Sequence, residues 1–282
     1  MEMVRHAIDR GVNYIDTAYP YHGYDFSKGG ASEPFVARAL KNGYREKVYL
    51  ATKLPCWLVE TREDMDRLLD EQLGRLETRC IDFYLLHALD KVSWKNMLEL
   101  GALDFLDRAI EAGKIRFAGF SFHDEIDLFR EIVDAYDWSF CQIQYNYMDE
   151  EYQAGTEGLA YAAARGLAVV AMEPLRGGTL VQGLPPDARK AFEQAHPDRT
   201  VVDWALHWLW KDPQVTVVLS GMSHPDHVRE NLDLAASLPQ KEWTAEDEKT
   251  IQLVSGIIRG KKRVDCTACN YCMPCPEGVN IP

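Results

Sequence analysis

The sequence predicts an α/β fold, a (β/α)8 TIM barrel of parallel strands alternating with helices, and three observations carry that expectation. Seven short apolar or β-branched runs alternate with longer segments of helical period. Equivalent run ends recur every 23 to 48 residues, room for one helical crossover each. No G-x-G-x-x-G follows any run, so the usual dinucleotide fingerprint of the rival doubly wound sheet is missing. With 282 residues and 46% hydrophobic content the chain can bury one large core.

In chain order, a helix over Met3–Arg10 precedes the first candidate strand, Tyr14–Ala18. Val48–Lys53, Ile81–His87, Ile115–Ser121, Phe140–Asn146, Leu167–Glu173 and Val215–Gly221 follow as the other six. Between the second and third, Met65, Leu68, Leu69, Leu73 and Leu76 form one apolar helical stripe, with Thr61 placed to cap it.

Charge and targeting signals narrow the partners. A net charge of -13 argues against a nucleic-acid surface, whose affinity comes from clustered Lys and Arg neutralising phosphates. The single basic run, Lys261 to Arg263, reads as a solvated hinge. No stretch approaches the ~20 apolar residues that span a bilayer, and the start lacks the order of a signal peptide, so we expect a cytoplasmic chain without a membrane partner. Of seven cysteines, four crowd between Cys266 and Cys275 while Cys56, Cys80 and Cys141 are scattered. That spacing suits a metal site in a reducing compartment better than a disulfide framework.

Barrel chemistry collects where strands end, because those ends and their loops converge on one mouth. Asp16 lies near the end of the first run with Tyr21 five positions on, while Lys53 and His87 close the second and third. A core-facing charge needs a partner, and pairing Asp16 with Lys53 supplies one. The runs Tyr14-Ile-Asp-Thr-Ala-Tyr-Pro-Tyr21, Ala51-Thr-Lys53 and Tyr84-Leu-Leu-His87 resemble the Asp, Tyr, Lys, His tetrad of the aldo/keto reductases. The resemblance runs from Met1 to about Gly260, and it implies reduction of a carbonyl, or oxidation of an alcohol, with NADP(H) or NAD(H). Tyr21 would be the acid/base, Lys53 would favour its phenolate, Asp16 would hold the lysine and His87 would orient the carbonyl.

The same resemblance implies the cofactor contacts. Ser121 and Gln142 match positions that hold the nicotinamide carboxamide, and Met172 stands where many members stack an aromatic ring. Phe122 occupies the family's usual Asn position. The turn Arg176-Gly177-Gly178 resembles the pyrophosphate loop, with an ordinary left-handed turn as the other reading. Glu230 and Asn231 match adenine-contacting positions, and Gly221 and His227 stand where a Lys and an Arg commonly clamp the 2′-phosphate. The choice between NADP(H) and NAD(H) therefore stays open.

The tail, Cys266-Thr-Ala-Cys269-Asn-Tyr-Cys272-Met-Pro-Cys275-Pro276, resembles a ferredoxin-type [4Fe–4S] motif with a final step one residue short, zinc being the other reading of four cysteines. It is similar to the appended segment of a subgroup of aldo/keto reductases, which divides the chain into a barrel over 1–260 and a cluster segment over 261–282.

Two departures accompany these matches. The family places a first strand before the helix at Met3–Arg10, and seven strands leave an eight-stranded barrel one short, with exposed edges at the first and last. We read this as a truncated chain, a misassigned start or a form closed by a partner, homo-oligomerisation included. The loop Tyr24–Ala31 exceeds the family's usual turn and is expected to reshape the substrate mouth. The leading expectation is an oxidoreductase acting on a small carbonyl or alcohol; an iron–sulfur electron-transfer subunit serving a redox partner, with the barrel as scaffold, is the alternative.

Overall fold

The computed structural model describes residues 1–238 and 242–261. Its seven strands are β1 (Tyr14–Asp16), β2 (Tyr49–Leu54), β3 (Ile81–Leu89), β4 (Ile115–Phe122), β5 (Phe140–Gln144), β6 (Ala168–Met172) and β7 (Val215–Val218). They form one parallel sheet in sequence order. The helices are α1 (Glu2–Asp9), α2 (Ser32–Ala39), α3 (Arg62–Arg75), α4 (Lys91–Glu99), α5 (Ala102–Glu111) and α6 (Ile126–Asp134), then α7 (Gly155–Ala164), α8 (Thr179–Gln182), α9 (Pro186–Ala195), α10 (Val201–Trp210), α11 (Pro225–Ser237) and α12 (Ala245–Lys261).

All seven expected strands are present, and so is the helix expected from the Met65–Leu76 stripe. Met65, Leu68 and Leu69 are buried in α3, and the Asp64 carboxylate accepts from the Thr61 N–H at 2.8 Å, fixing that helix start. Among the described residues β1 pairs only with β2, and β7 only with β6. The sheet nevertheless curls. Ala7 of α1 packs with Val228 and Leu232 of α11, and Arg10 meets Asp233 at 2.8 Å, so the helices flanking the first and last strands touch.

Strand periodicity sorts the side chains. Ala51, Leu85, Phe140 and Val170 cluster with Tyr14, Phe83, Ala168 and Val217 inside the curl. Phe83 sits 5.3 Å from Tyr14 and 5.0 Å from Phe140, ring to ring. Glycine is required at Gly119, where a Cβ would lie 2.4 Å from the Phe140 ring. Because side chains alternate along a strand, two residues beyond these positions come Asp16, Lys53, His87, Gln142 and Met172 on the same inner face.

The outer face is anchored differently. Thr52 donates from Oγ1 to Glu33 at 2.7 Å, and Glu33, fully buried on α2, also accepts from Gln72 Nε2 at 2.8 Å and Arg75 Nε at 2.8 Å. Gln72 further donates to the Lys53 carbonyl at 3.0 Å, and Arg75 to that of Gly30. This buried network satisfies its own polar groups and ties the end of β2 to α3 and to the loop after β1.

No described helix is long and apolar enough to cross a membrane. Cys56 and Cys141 are buried, burial pushing the Cys56 thiol up to about 12, so neither offers a reactive thiolate. No group of three or more His, Cys, Asp or Glu among the described residues could hold a metal ion. Cys266, Cys269, Cys272 and Cys275 lie outside the described residues.

Candidate active site

Three residues near strand ends, Asp16, Lys53 and His87, come together with Tyr21 from the turn after β1. Lys53, 0% exposed, donates from Nζ to both Asp16 carboxylate oxygens at 2.7 Å and to the Thr17 carbonyl at 2.9 Å. Burial works against the ammonium, but Asp16 and Tyr21 outweigh it and hold the Lys53 pKa above the usual lysine value. The same Nζ lies 5.0 Å from the centre of the Tyr21 ring. Tyr21 sits in the turn after β1, where its N–H bonds the Ala18 carbonyl at 3.2 Å and its own carbonyl accepts from Ser32 N–H at 3.1 Å.

His87 completes the set. Its ring lies 6.0 Å from that of Tyr21, edge to face. Burial, then the Lys53 charge and His123, push its pKa well below the ordinary imidazole value, so the ring is neutral at neutral pH. Its Nδ1 is buried without a hydrogen-bond partner. A phenol, an ammonium and a neutral imidazole thus lie together, with a carboxylate bonded to the ammonium.

On the far side of the mouth, Gln142 donates from Nε2 toward the Met172 sulfur at 3.4 Å, while its buried Oε1 has no partner. Buried acceptors are rarely left unsatisfied, so this oxygen suits an incoming N–H donor. Ser121 Oγ accepts from the Ala88 N–H at 2.7 Å and keeps its own O–H to give.

The remaining expected cofactor positions are spread more widely. Gly177 and Gly178 are both left-handed, with φ of 63° and 88°. The Arg176 side chain does not reach the mouth as a cation. It is buried and meets Asp149 at 3.2 Å. At the end of β7, Asn231 Nδ2 bonds Ser220 Oγ at 2.9 Å and Glu230 accepts from Thr200 Oγ1 at 2.9 Å, while Gly221 and His227 are exposed.

A model of the aldo/keto reductase family matches residues 1–251. The chain belongs to that family. Its members are oxidoreductases, and relatives carry the names of dehydrogenases and reductases. The L-galactose dehydrogenase of Arabidopsis thaliana is 26% identical over 93% of this chain and 84% of its own. The NADH-specific methylglyoxal reductase of Escherichia coli is 28% identical over 79% and 78%. An aldo/keto reductase from Klebsiella pneumoniae, solved with NADP and acetate, superposes with a TM-score of 0.74 at 24% identity, over 94% of this chain and 88% of that one. That likeness shows the shared fold.

Three residues at this aldo/keto reductase mouth belong to no motif. Trp57, 44% exposed, lies 5.2 Å from the His87 ring and donates its indole N–H to the Phe26 carbonyl at 3.0 Å, so the long loop after β1 is fastened beside His87. Asp149 gathers Arg176 together with Gln144 Nε2 at 2.8 Å and Asn146 Nδ2 at 2.7 Å. Glu173 follows β6 with φ of 57° and turns its carboxylate back onto the Gly177 N–H. A tryptophan in a loop and acids at strand ends are common enough that only their neighbours single them out.

Proposed function

We propose that this aldo/keto reductase interconverts a small carbonyl and an alcohol with a nicotinamide cofactor, Tyr21 acting as general acid and base. The observation that carries the reading is the buried Lys53 ammonium, held by Asp16 and facing the Tyr21 ring beside neutral His87. A reduced nicotinamide would supply hydride to the carbonyl carbon, and the oxidised form would take it back from the alcohol carbon. In the direction of reduction, negative charge then grows on the substrate oxygen, where the Tyr21 O–H donates its proton and Lys53 stabilises the phenolate left behind. His87, being neutral, can direct an N–H to the same oxygen without competing for its proton.

The unpartnered Gln142 Oε1 and the hydroxyl of Ser121 fit a carboxamide, one accepting its N–H and the other donating to its carbonyl. Met172 beside Gln142 would cover one face of the ring, and the Arg176–Gly178 turn would take the diphosphate. We assign Glu230, Asn231, Gly221 and His227 to the adenosine end. Gly221 and His227, at the positions where a Lys and an Arg commonly clamp a 2′-phosphate, are both exposed, and both NADP(H) and NAD(H) remain candidates. Assays with a panel of aldehydes, ketones and polyols should show substrate-dependent oxidation or reduction of NAD(P)(H); cofactor consumption no faster than without protein across the whole panel would refute the reading.

For residues 261–282 we propose a separate ferredoxin-like segment in which Cys266, Cys269, Cys272 and Cys275 hold a [4Fe–4S] cluster. Four thiolates at this spacing are a donor set for iron–sulfur or zinc. Anaerobically purified protein should carry about four irons per chain with broad visible absorption, both lost in a Cys266→Ser, Cys269→Ser double variant. Zinc in place of iron would overturn the assignment.

A further inference from the structure

The turn after β6 contains an anion already. Glu173 Oε2 accepts from the Gly177 N–H at 2.5 Å, and the intervening backbone is bent to allow it, with left-handed φ at Glu173, Arg176, Gly177 and Gly178. The neighbouring donors are taken, Gly178 N–H and Leu180 N–H both bonding the Leu175 carbonyl. Gly177 is therefore the donor this turn directs at a negative oxygen. A carboxylate oxygen and a phosphate oxygen are equivalent acceptors for such a group.

Other contacts hold this turn besides that carboxylate. Asn146 Nδ2 holds the Glu173 carbonyl at 2.9 Å, and the buried Arg176–Asp149 pair anchors the next segment. Burial raises the Glu173 pKa, as does Asp149, while the Gly177 N–H and Arg176 oppose them.

We propose that the Glu173 carboxylate occupies the seat of the cofactor's diphosphate and must swing away when a nicotinamide nucleotide binds, so that Glu173 sets the affinity of the cofactor site. The inference rests on the reading above that the Arg176–Gly178 turn receives the diphosphate. Glu173 is then an internal competitor: its charge satisfies Gly177 when the site is empty and repels the incoming phosphates when it is filled.

Titration of the full chain with NADH and with ADP, followed by tryptophan fluorescence and calorimetry, tests this without reference to turnover. Glu173→Gln and Glu173→Ala should bind both nucleotides about tenfold more tightly than wild type, because the ligand no longer displaces a charge-assisted bond. In the wild-type protein NADH affinity should also rise as pH falls, since protonation neutralises the competitor; NADH avoids the 2′-phosphate, which titrates near pH ~6. That slope should vanish in Glu173→Gln.

Equal or weaker binding by both variants, with a flat wild-type pH series, would mean that Glu173 supports the turn rather than contesting its guest. Such a result overturns this inference alone, while wild-type binding upholds the cofactor reading. Failure of wild type and both variants to bind any nicotinamide nucleotide overturns the two together.

Discussion

Tyr21→Phe is expected to lower kcat for carbonyl reduction by ~10²–10⁴ while leaving nicotinamide binding and thermal stability near wild type. The substitution removes one oxygen and keeps the ring, so the aromatic face 5.0 Å from Lys53 Nζ is retained. Only the proton donor is lost. Substrate binding should change little, which places the loss in kcat rather than KM. Steady-state kinetics beside a fluorescence titration of the cofactor separate the two, and turnover at the wild-type rate would assign the proton to another group.

Asp16→Asn should destabilise the fold by about 3–5 kcal/mol, the cost of stranding a buried cation. Lys53 has no exposed surface, and without the carboxylate its charge would keep only the Thr17 carbonyl and Tyr21. Urea denaturation should show the fall in midpoint. Adding Lys53→Met to Asp16→Asn should restore most of the stability, because no charge is then left buried, yet activity should stay lost. Recovery of activity in the double variant would argue that the pair serves folding alone.

The pH dependence follows from the raised Lys53 value. A lysine that titrates higher in the folded chain contributes its full stabilisation below the unfolded pKa of ~10.4 and loses it as pH rises through the folded value. The stability gap between wild type and Asp16→Asn should accordingly be widest near neutrality and narrow in strong alkali.

The seven strands are legible because a parallel sheet buries both faces, leaving apolar runs bounded by helical period. Their ends shift where side chains intervene. β1 stops at Asp16 rather than Ala18, since Thr17 turns its hydroxyl to Ser32 at 2.7 Å and its carbonyl to Lys53. β3 runs on to Leu89 past His87 because an irregularity at Ala88, with φ of 52°, lets pairing resume at Phe122. The neutral state of His87 belongs to its burial beside Lys53, which no spacing encodes.

By itself the sequence determined the strand and helix order, and it set Asp16, Lys53 and His87 near the ends of successive strands, while the register between strands put these residues and Gln142 on one face. It also determined the family. Only the tertiary structure decided partners brought from far along the chain. Arg176 turns inward to Asp149, Glu173 covers Gly177, Trp57 stands against His87, and α1 closes onto α11. Local pattern fixes which way a side chain leaves its own strand; what it meets there depends on loops and crossovers whose paths are set by packing of the whole core.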